Sequence, residues 1–301
     1  MRRLLVTGAG GFVGPHVVAA ARARGIETVA SVGDLLDGQA VRTDVRSVRP
    51  DAVVHLAARH PSGCASVAQA VEVNVRMTSL LLDALAAEVP GAAVLLPGSA
   101  AQYGLGQAQR LGEDAVGEPL TVHGAIKVLL ERLAMLEPLA RGLRIVATRS
   151  FNHVGPGQRS DAPVGAWVRQ VAAAERAGGG TLTTGRLDVV RDLLDVRDVA
   201  DAYVALLAAG ATGVVNVCSG VGVRMRDVAE RLCEMAGTPI DICEDPALVR
   251  ASDPAVVVGD PSRLRALIDR RPVRSLDDSL RDALDEQRAA LAASPNPITS
   301  R

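Results

Sequence analysis

Thr7-Gly8-Ala9-Gly10-Gly11-Phe12-Val13-Gly14, set directly behind the apolar run Leu4-Leu5-Val6, decides how this chain reads. An apolar strand that runs into glycines at 8, 11 and 14 and then into a helical stretch, Pro15 to Arg24, builds a cradle for phosphate. Gly8 allows the tight turn, Gly11 lets the backbone approach a pyrophosphate, and Gly14 lets helix and strand pack closely, so that the helix N-terminus meets the anion. No Gly-Lys-Ser/Thr ending follows, which separates the turn from a nucleoside triphosphatase loop. A dinucleotide is the expected ligand, and a turn that merely joins strand to helix is the competing reading.

The 301 residues, 48% hydrophobic and 22% charged, are enough to bury a large core. Basic and acidic residues balance at 33 against 34, so the electrostatic footprint needed for nucleic-acid binding is missing. The four cysteines, Cys64, Cys218, Cys233 and Cys243, lie far apart without a C-x-x-C pair, so neither a metal site nor a disulfide framework is expected. They read as buried thiols of a reducing compartment, the cytoplasm. The first apolar run breaks into glycines after three residues, and no later run approaches the ~18 needed to cross a membrane.

Strand-like and helix-like segments alternate along the first two thirds, which predicts an α/β fold: a Rossmann-type doubly wound parallel sheet covered by helices on both faces. The expected strands are Leu4 to Thr7, Thr28 to Val32, Ala52 to Leu56, Ala93 to Pro97, Arg144 to Ser150 and Val214 to Cys218. Helical spacing marks Pro15 to Arg24, Val67 to Ala87, His123 to Ala140, Val196 to Ala208, Arg226 to Ala236 and Leu276 to Leu291. Past Asn152 the glycines and prolines read as loops. The expectation is a dinucleotide-binding domain of residues 1–151 plus about 185–218, with a smaller C-terminal substrate-binding domain of about 152–184 plus 219–293. Residues 294–301 read as a flexible tail, and the cleft between the domains is the default substrate site.

Several segments together resemble the extended short-chain dehydrogenase/reductase family, the epimerases, dehydratases and reductases of nucleotide sugars. They are Thr7 to Gly14, Val54-His55-Leu56-Ala57-Ala58, Asn74, Gly98-Ser99-Ala100-Ala101-Gln102-Tyr103-Gly104, Arg149-Ser150-Phe151-Asn152 and Arg191 to Val199. Within it, Asn152 to Gln158, Val249 to Pro254 and Gly259 to Leu264 resemble the reductases and dehydratases of GDP-linked 6-deoxy sugars. The resemblance implies a cofactor, NADP or NAD, held by Gly8, Gly10, Gly11, Phe12, Val13, Gly14, Leu56, Ala57, Ala58, Asn74, Lys127 and Phe151, with Asp44-Val45 as the adenine-contacting pair. It places Ser99, Ala100 and Asn152 at the substrate and makes Arg191 and Arg250 a diphosphate clamp, although composition alone would leave both arginines on the surface.

Catalysis in this family resembles a Ser/Thr, Tyr, Lys arrangement with Tyr and Lys four residues apart on one helix face. Ser99 and Lys127 match, but the tyrosine's place is taken by His123. Near a helix N-terminus and four residues from a lysine, its imidazole is expected to be neutral at pH 7 and to donate an N–H, with Tyr103 as a substitute donor. The acidic pair that sugar dehydratases carry after the Ser/Thr is here Ala100 and Ala101, which removes elimination and leaves reduction or epimerisation. Asp34, 20 positions beyond Gly14, is the candidate for the ribose hydroxyls of NAD, and Arg59 could reach a 2′-phosphate. Apolar residues Val71, Val75 and Leu82 on one helix and Ile126, Leu129 and Leu133 on another match helices that pair across a family dimer axis, so a homodimer is expected. The reading is an NAD(P)-dependent 4-ketoreductase of a nucleotide-linked 4-keto-6-deoxyhexose. A 4-epimerase, or a silent cofactor-binding sensor, is the alternative.

Overall fold

The computed structural model describes residues 1–31, 33–105, 110–115, 117–136, 142–249, 253–269 and 271–293. Six parallel strands form the main sheet: β1 (Arg3–Thr7), β2 (Glu27–Ala30), β3 (Ala52–His55), β4 (Ala93–Pro97), β5 (Arg144–Ser150) and β9 (Gly213–Val217), in the order β2-β1-β3-β4-β5-β9. Each is where the apolar runs predict it, to within a residue or two. Strands buried on both faces read as continuous apolar runs, and Ala52–His55 is buried at every position.

Helices cover both faces. Against one lie α1 (Gly14–Arg22) and α6 (Val196–Ala208), through Val17, Ala21, Val199 and Tyr203. Against the other lie α2 (Gly38–Val48), α3 (Val67–Glu88) and α4 (Val122–Met135), through Val41, Val45, Leu81, Leu85 and Ala134. The chain leaves β1 outward to β2 and returns to place β3 on the other side, so the direction of winding reverses between β1 and β3. At such a switch point the carboxyl ends of the strands open a crevice, where ligands of α/β sheets bind.

The region past Asn152 is more regular than its glycines and prolines imply. β6 (Asn152–Val154), β10 (Gly222–Arg224) and β12 (Val256–Val257) flank β8 (Val190–Asp195), and β7 (Gly180–Thr184) pairs in parallel with β11 (Ile240–Glu244). A separate core, centred on Trp167, Val171, Leu182, Leu232 and Leu284, joins α5 (Pro163–Ala177), α7 (Met225–Met235) and α9 (Leu276–Ala293). A short α8 (Ser262–Leu267) packs under β9. The expected tail, 294–301, lies outside the described residues.

Two residues of the expected dimer faces turn inward: Leu82 and Ile126 are buried in the subunit. Leu129 and Met135 on α4 remain 37% exposed, and α3 presents Val67 at 58%. No described helix is long and apolar enough to cross a membrane.

Candidate active site

The glycine turn joins β1 to α1. Gly8 holds φ +67°, and a Cβ at Gly14 would collide with Ala9 O, so only glycine lets the helix start this close to the turn. No side chain caps α1, which leaves its first N–H groups to an anion. A cradle that a Cβ would fill, below an uncapped helix, fits a pyrophosphate.

Beside it, a hydrogen-bond chain fixes the loop after β3. Ala57 N–H donates to Thr7 Oγ1 (3.2 Å), which pairs with His55 Nδ1 (2.7 Å), while His55 Nε2 meets Thr78 Oγ1 (3.2 Å) and Thr78 donates to Asn74 O (2.9 Å). Because Thr78 spends its proton on Asn74, His55 carries its own on Nε2 and accepts from Thr7. Burial, with the Lys127 charge behind it, pushes His55 down to about 3, so the ring is neutral. Asn74 accepts from Arg59 N–H (3.0 Å) and donates to Arg59 O (2.9 Å) and Ala70 O (2.7 Å). It anchors the loop, with both of its amide protons already spent on main-chain oxygens. The loop brings Leu56, Ala57 and Ala58 to the crevice, where Ala57 and Ala58 line a cavity with His55, Pro97, Gly98 and Lys127.

Ser99 follows β4. Its hydroxyl accepts from Ala101 N–H (3.2 Å) and keeps its own proton for a ligand, while its N–H donates to Gln102 Oε1 (2.8 Å). Gln102 Nε2 donates to Glu131 (2.8 Å), and Arg149 closes a two-pronged ion pair on the same carboxylate at 2.9 and 2.8 Å. This buried triad, absent from the sequence reading, ties the Ser99 turn to α4. A Cβ at Gly124 would strike Ala101 O, so glycine there lets α4 press directly on that turn.

Thr121 caps α4 by accepting from Gly124 N–H (3.1 Å), and His123 and Lys127 stand one turn apart on the helix. Lys127 Nζ donates to Pro97 O (2.7 Å), and burial pushes it down to about 8. Burial, then the Lys127 charge, then His60 push His123 down to about 4, so its imidazole is neutral at pH 7 as the spacing predicts. His60, which the sequence reading passed over, stacks on it with ring centroids 5.3 Å apart.

Other expectations need correction. Tyr103 is 2% exposed, its hydroxyl donates to Asn216 Oδ1 (2.6 Å) and Arg149 lies 4.8 Å over its ring, so it cannot stand in as the proton donor. The Phe151 ring is sealed in the core against Tyr103, and only its main chain can face a cofactor. Val45 is fully buried between α2 and the sheet and cannot meet an adenine, whereas the Asp44 carboxylate accepts from Ser31 Oγ (3.0 Å) and Gly33 N–H (3.1 Å). Asp34 is exposed and turned to Leu36 N–H (2.9 Å), while Ser31 directly follows β2, the position from which dinucleotide folds offer an NAD-selecting carboxylate. We expect Ser31→Asp to lower kcat/KM for NADPH at least about tenfold relative to NADH, because the carboxylate repels a 2′-phosphate and pairs with a 2′-hydroxyl. Initial rates with both cofactors check this.

On the far wall, Asn152 is exposed and Ala100 is 7% exposed. Arg191 lies in β8, its guanidinium bonded to Val190 O (2.8 Å) and paired with Asp253 (2.6 Å), so an anion has to compete with a carboxylate. Arg250 lies outside the described residues. Phe12 stacks on His153 (5.6 Å) and His16 Nε2 bonds Pro156 O (3.0 Å), which joins the glycine turn to the loop of the opposite wall.

The sequence profile of the NAD dependent epimerase/dehydratase family matches residues 4–218. The chain belongs to this family. Among family members similar to it, GDP-6-deoxy-D-mannose reductase of Pseudomonas aeruginosa is 33% identical over 95% of this chain and 97% of the relative. GDP-6-deoxy-D-talose 4-dehydrogenase of Aggregatibacter actinomycetemcomitans is 28% identical over 87% and 90%. The solved structure of RMD from Pseudomonas aeruginosa complexed with NADPH superposes with a TM-score of 0.88 at 31% identity, covering 96% of this chain and 100% of that one. A Thermus thermophilus UDP-glucose 4-epimerase in complex with NAD reaches 0.83 at 28%, covering 96% and 99%.

Proposed function

We propose that this protein is an NAD(P)H-dependent 4-ketoreductase of a GDP-linked 4-keto-6-deoxyhexose. The observation that carries the reading is the composition of the site: a free Ser99 hydroxyl and a neutral His123 at the end of the crevice, with Ala100 and Ala101 where elimination requires an acid and a base. The bound nicotinamide supplies the hydride. Ser99 donates a hydrogen bond to the C4 carbonyl oxygen, and the imidazole N–H of His123 delivers the proton that this oxygen needs as charge develops on it. The Lys127 ammonium, fixed to Pro97 O, adds a positive charge beneath the site and offers its remaining protons to the cofactor ribose. Whole-length similarity to a GDP-6-deoxy-D-mannose reductase supports the GDP sugar as substrate. Exposed apolar side chains on α3 and α4 support pairing of two copies through those helices, and four free cysteines, of which only Cys218 is buried as the sequence predicts for all of them, fit a reducing, cytoplasmic setting.

Incubating the pure protein with NADPH or NADH and a panel of GDP- and dTDP-4-keto-6-deoxyhexoses tests this by nicotinamide absorbance. Oxidation with a GDP sugar is expected. Turnover of a nucleotide sugar without added cofactor, on NAD that survives purification, would make the protein an epimerase; cofactor binding without any hydride transfer would make it a sensor. The pH profile gives a second check. Lys127 is charged below about 8, so kcat/KM should fall as pH rises through that value, and Lys127→Arg should lack this limb.

A further inference from the structure

The rings of His60 and His123 face each other at 5.3 Å between centroids, their planes inclined by 30°. They come from different elements. His60 ends the loop after β3, where Asn74 grips both the N–H and the carbonyl of Arg59. His60 is itself tethered, its Nδ1 2.7 Å from Ser62 Oγ and accepting from Ser62 N–H at 3.3 Å. His123 has no such tether: among the described residues no hydrogen bond holds either of its ring nitrogens, and the His60 ring is what it stacks on.

That difference matters for a proton donor. A phenol carries its O–H on the ring axis, so rotation of the ring barely moves the oxygen. An imidazole nitrogen lies off that axis, and the torsion that turns the ring is broad. Delivery requires the donor within about 2.6–3.2 Å of its acceptor, so a freely turning ring spends most of its time misdirected.

We propose that His60 is a positioning residue for His123: its tethered ring fixes the plane of the His123 imidazole and shields it from water, so that two histidines together meet the demand a single tyrosine meets in the family. This rests on the ketoreductase reading, in which His123 delivers the proton. The titratable groups that bear on His123 are Lys127 on its own helix and His60 across from it. Loss of His60 would uncover the ring and remove a repulsive neighbour, and both changes favour its protonated form.

The test uses the full chain with His60→Ala and His60→Phe, and with His123→Ala to assign the ring signals. Steady-state kinetics with NADPH are read beside an NMR titration of the His123 imidazole. His60→Ala is expected to lower kcat on the order of tenfold with KM for NADPH unchanged, and to raise the His123 midpoint from about 4. His60→Phe, which restores a flat ring, should return most of the lost turnover. Wild-type kcat and an unmoved midpoint in His60→Ala would overturn the proposal, as would a His60→Phe no better than His60→Ala. Absence of turnover in the wild type would instead overturn the ketoreductase reading, and the midpoint alone would then decide whether the stack controls His123.

Discussion

His123→Ala should lower kcat for sugar reduction by about 10²–10⁴-fold while the dissociation constant for NADPH stays unchanged, because proton delivery by a positioned acid contributes about that factor. The imidazole stands one helical turn from Lys127 and is pushed down to about 4, so at pH 7 it is neutral with one N–H to give. Reprotonation from solvent can follow at leisure. The cofactor cradle is built elsewhere, from Gly8 to Gly14 and the loop after β3, which is why binding should not change. His123→Tyr should recover part of the loss, since a phenol at this place again has a lysine four residues on. Steady-state kinetics with cofactor binding followed by fluorescence separate the two effects, and equal losses in both would show that His123 holds the fold or the cofactor instead.

Glu131→Ala should cost about 3–5 kcal/mol of stability, because it leaves the Arg149 guanidinium buried without its counter-charge. The pair is sealed, with side chains 4% and 5% exposed, and Arg149 meets both carboxylate oxygens. Glu131 also receives Gln102, which in turn holds Ser99 N–H, so the same change loosens the turn that presents the Ser99 hydroxyl. Replacing both partners, Glu131→Met with Arg149→Met, should return much of the stability but not kcat. Chemical denaturation and turnover measured on the same three proteins check this; a double variant that recovers turnover would show that the pair serves stability alone.

The nucleotide half was legible because its signals are local. A buried parallel strand is a run of apolar residues, and the turn after β1 has one glycine for each steric demand. Elements with weaker local signals are not legible in this way. α2 carries mostly polar residues and buries only Val41 and Val45, so its adenine-pair look misled: Asp44-Val45 is a helix segment. α5 begins at a proline and ends at Gly178 in the left-handed region, which read as loop although both are common helix boundaries. β8 hides Arg191-Asp192 inside a strand; the Asp192 carboxylate is buried because Ser219, Gly220 and Gly259 all donate to it.

The site divides the same way. Ser99, His123 and Lys127 were legible as candidates because each follows a recognisable segment. His60 and the Gln102–Glu131–Arg149 triad were not, because their roles are contacts through space between loop, strand and helix. Tyr103 is ambiguous for the same reason: nothing in Ser99 to Gly104 tells that the phenol turns inward to Asn216.

The most direct test follows a deuteron. A single turnover with NADPH deuterated at the reactive face of the nicotinamide, in ordinary water with the GDP-4-keto-6-deoxyhexose, is read by NMR of the product sugar. Deuterium at hexose C4, lost in parallel with turnover when His123 is Ala, is the predicted result. Product without deuterium at C4 would contradict hydride delivery to a C4 carbonyl in this crevice.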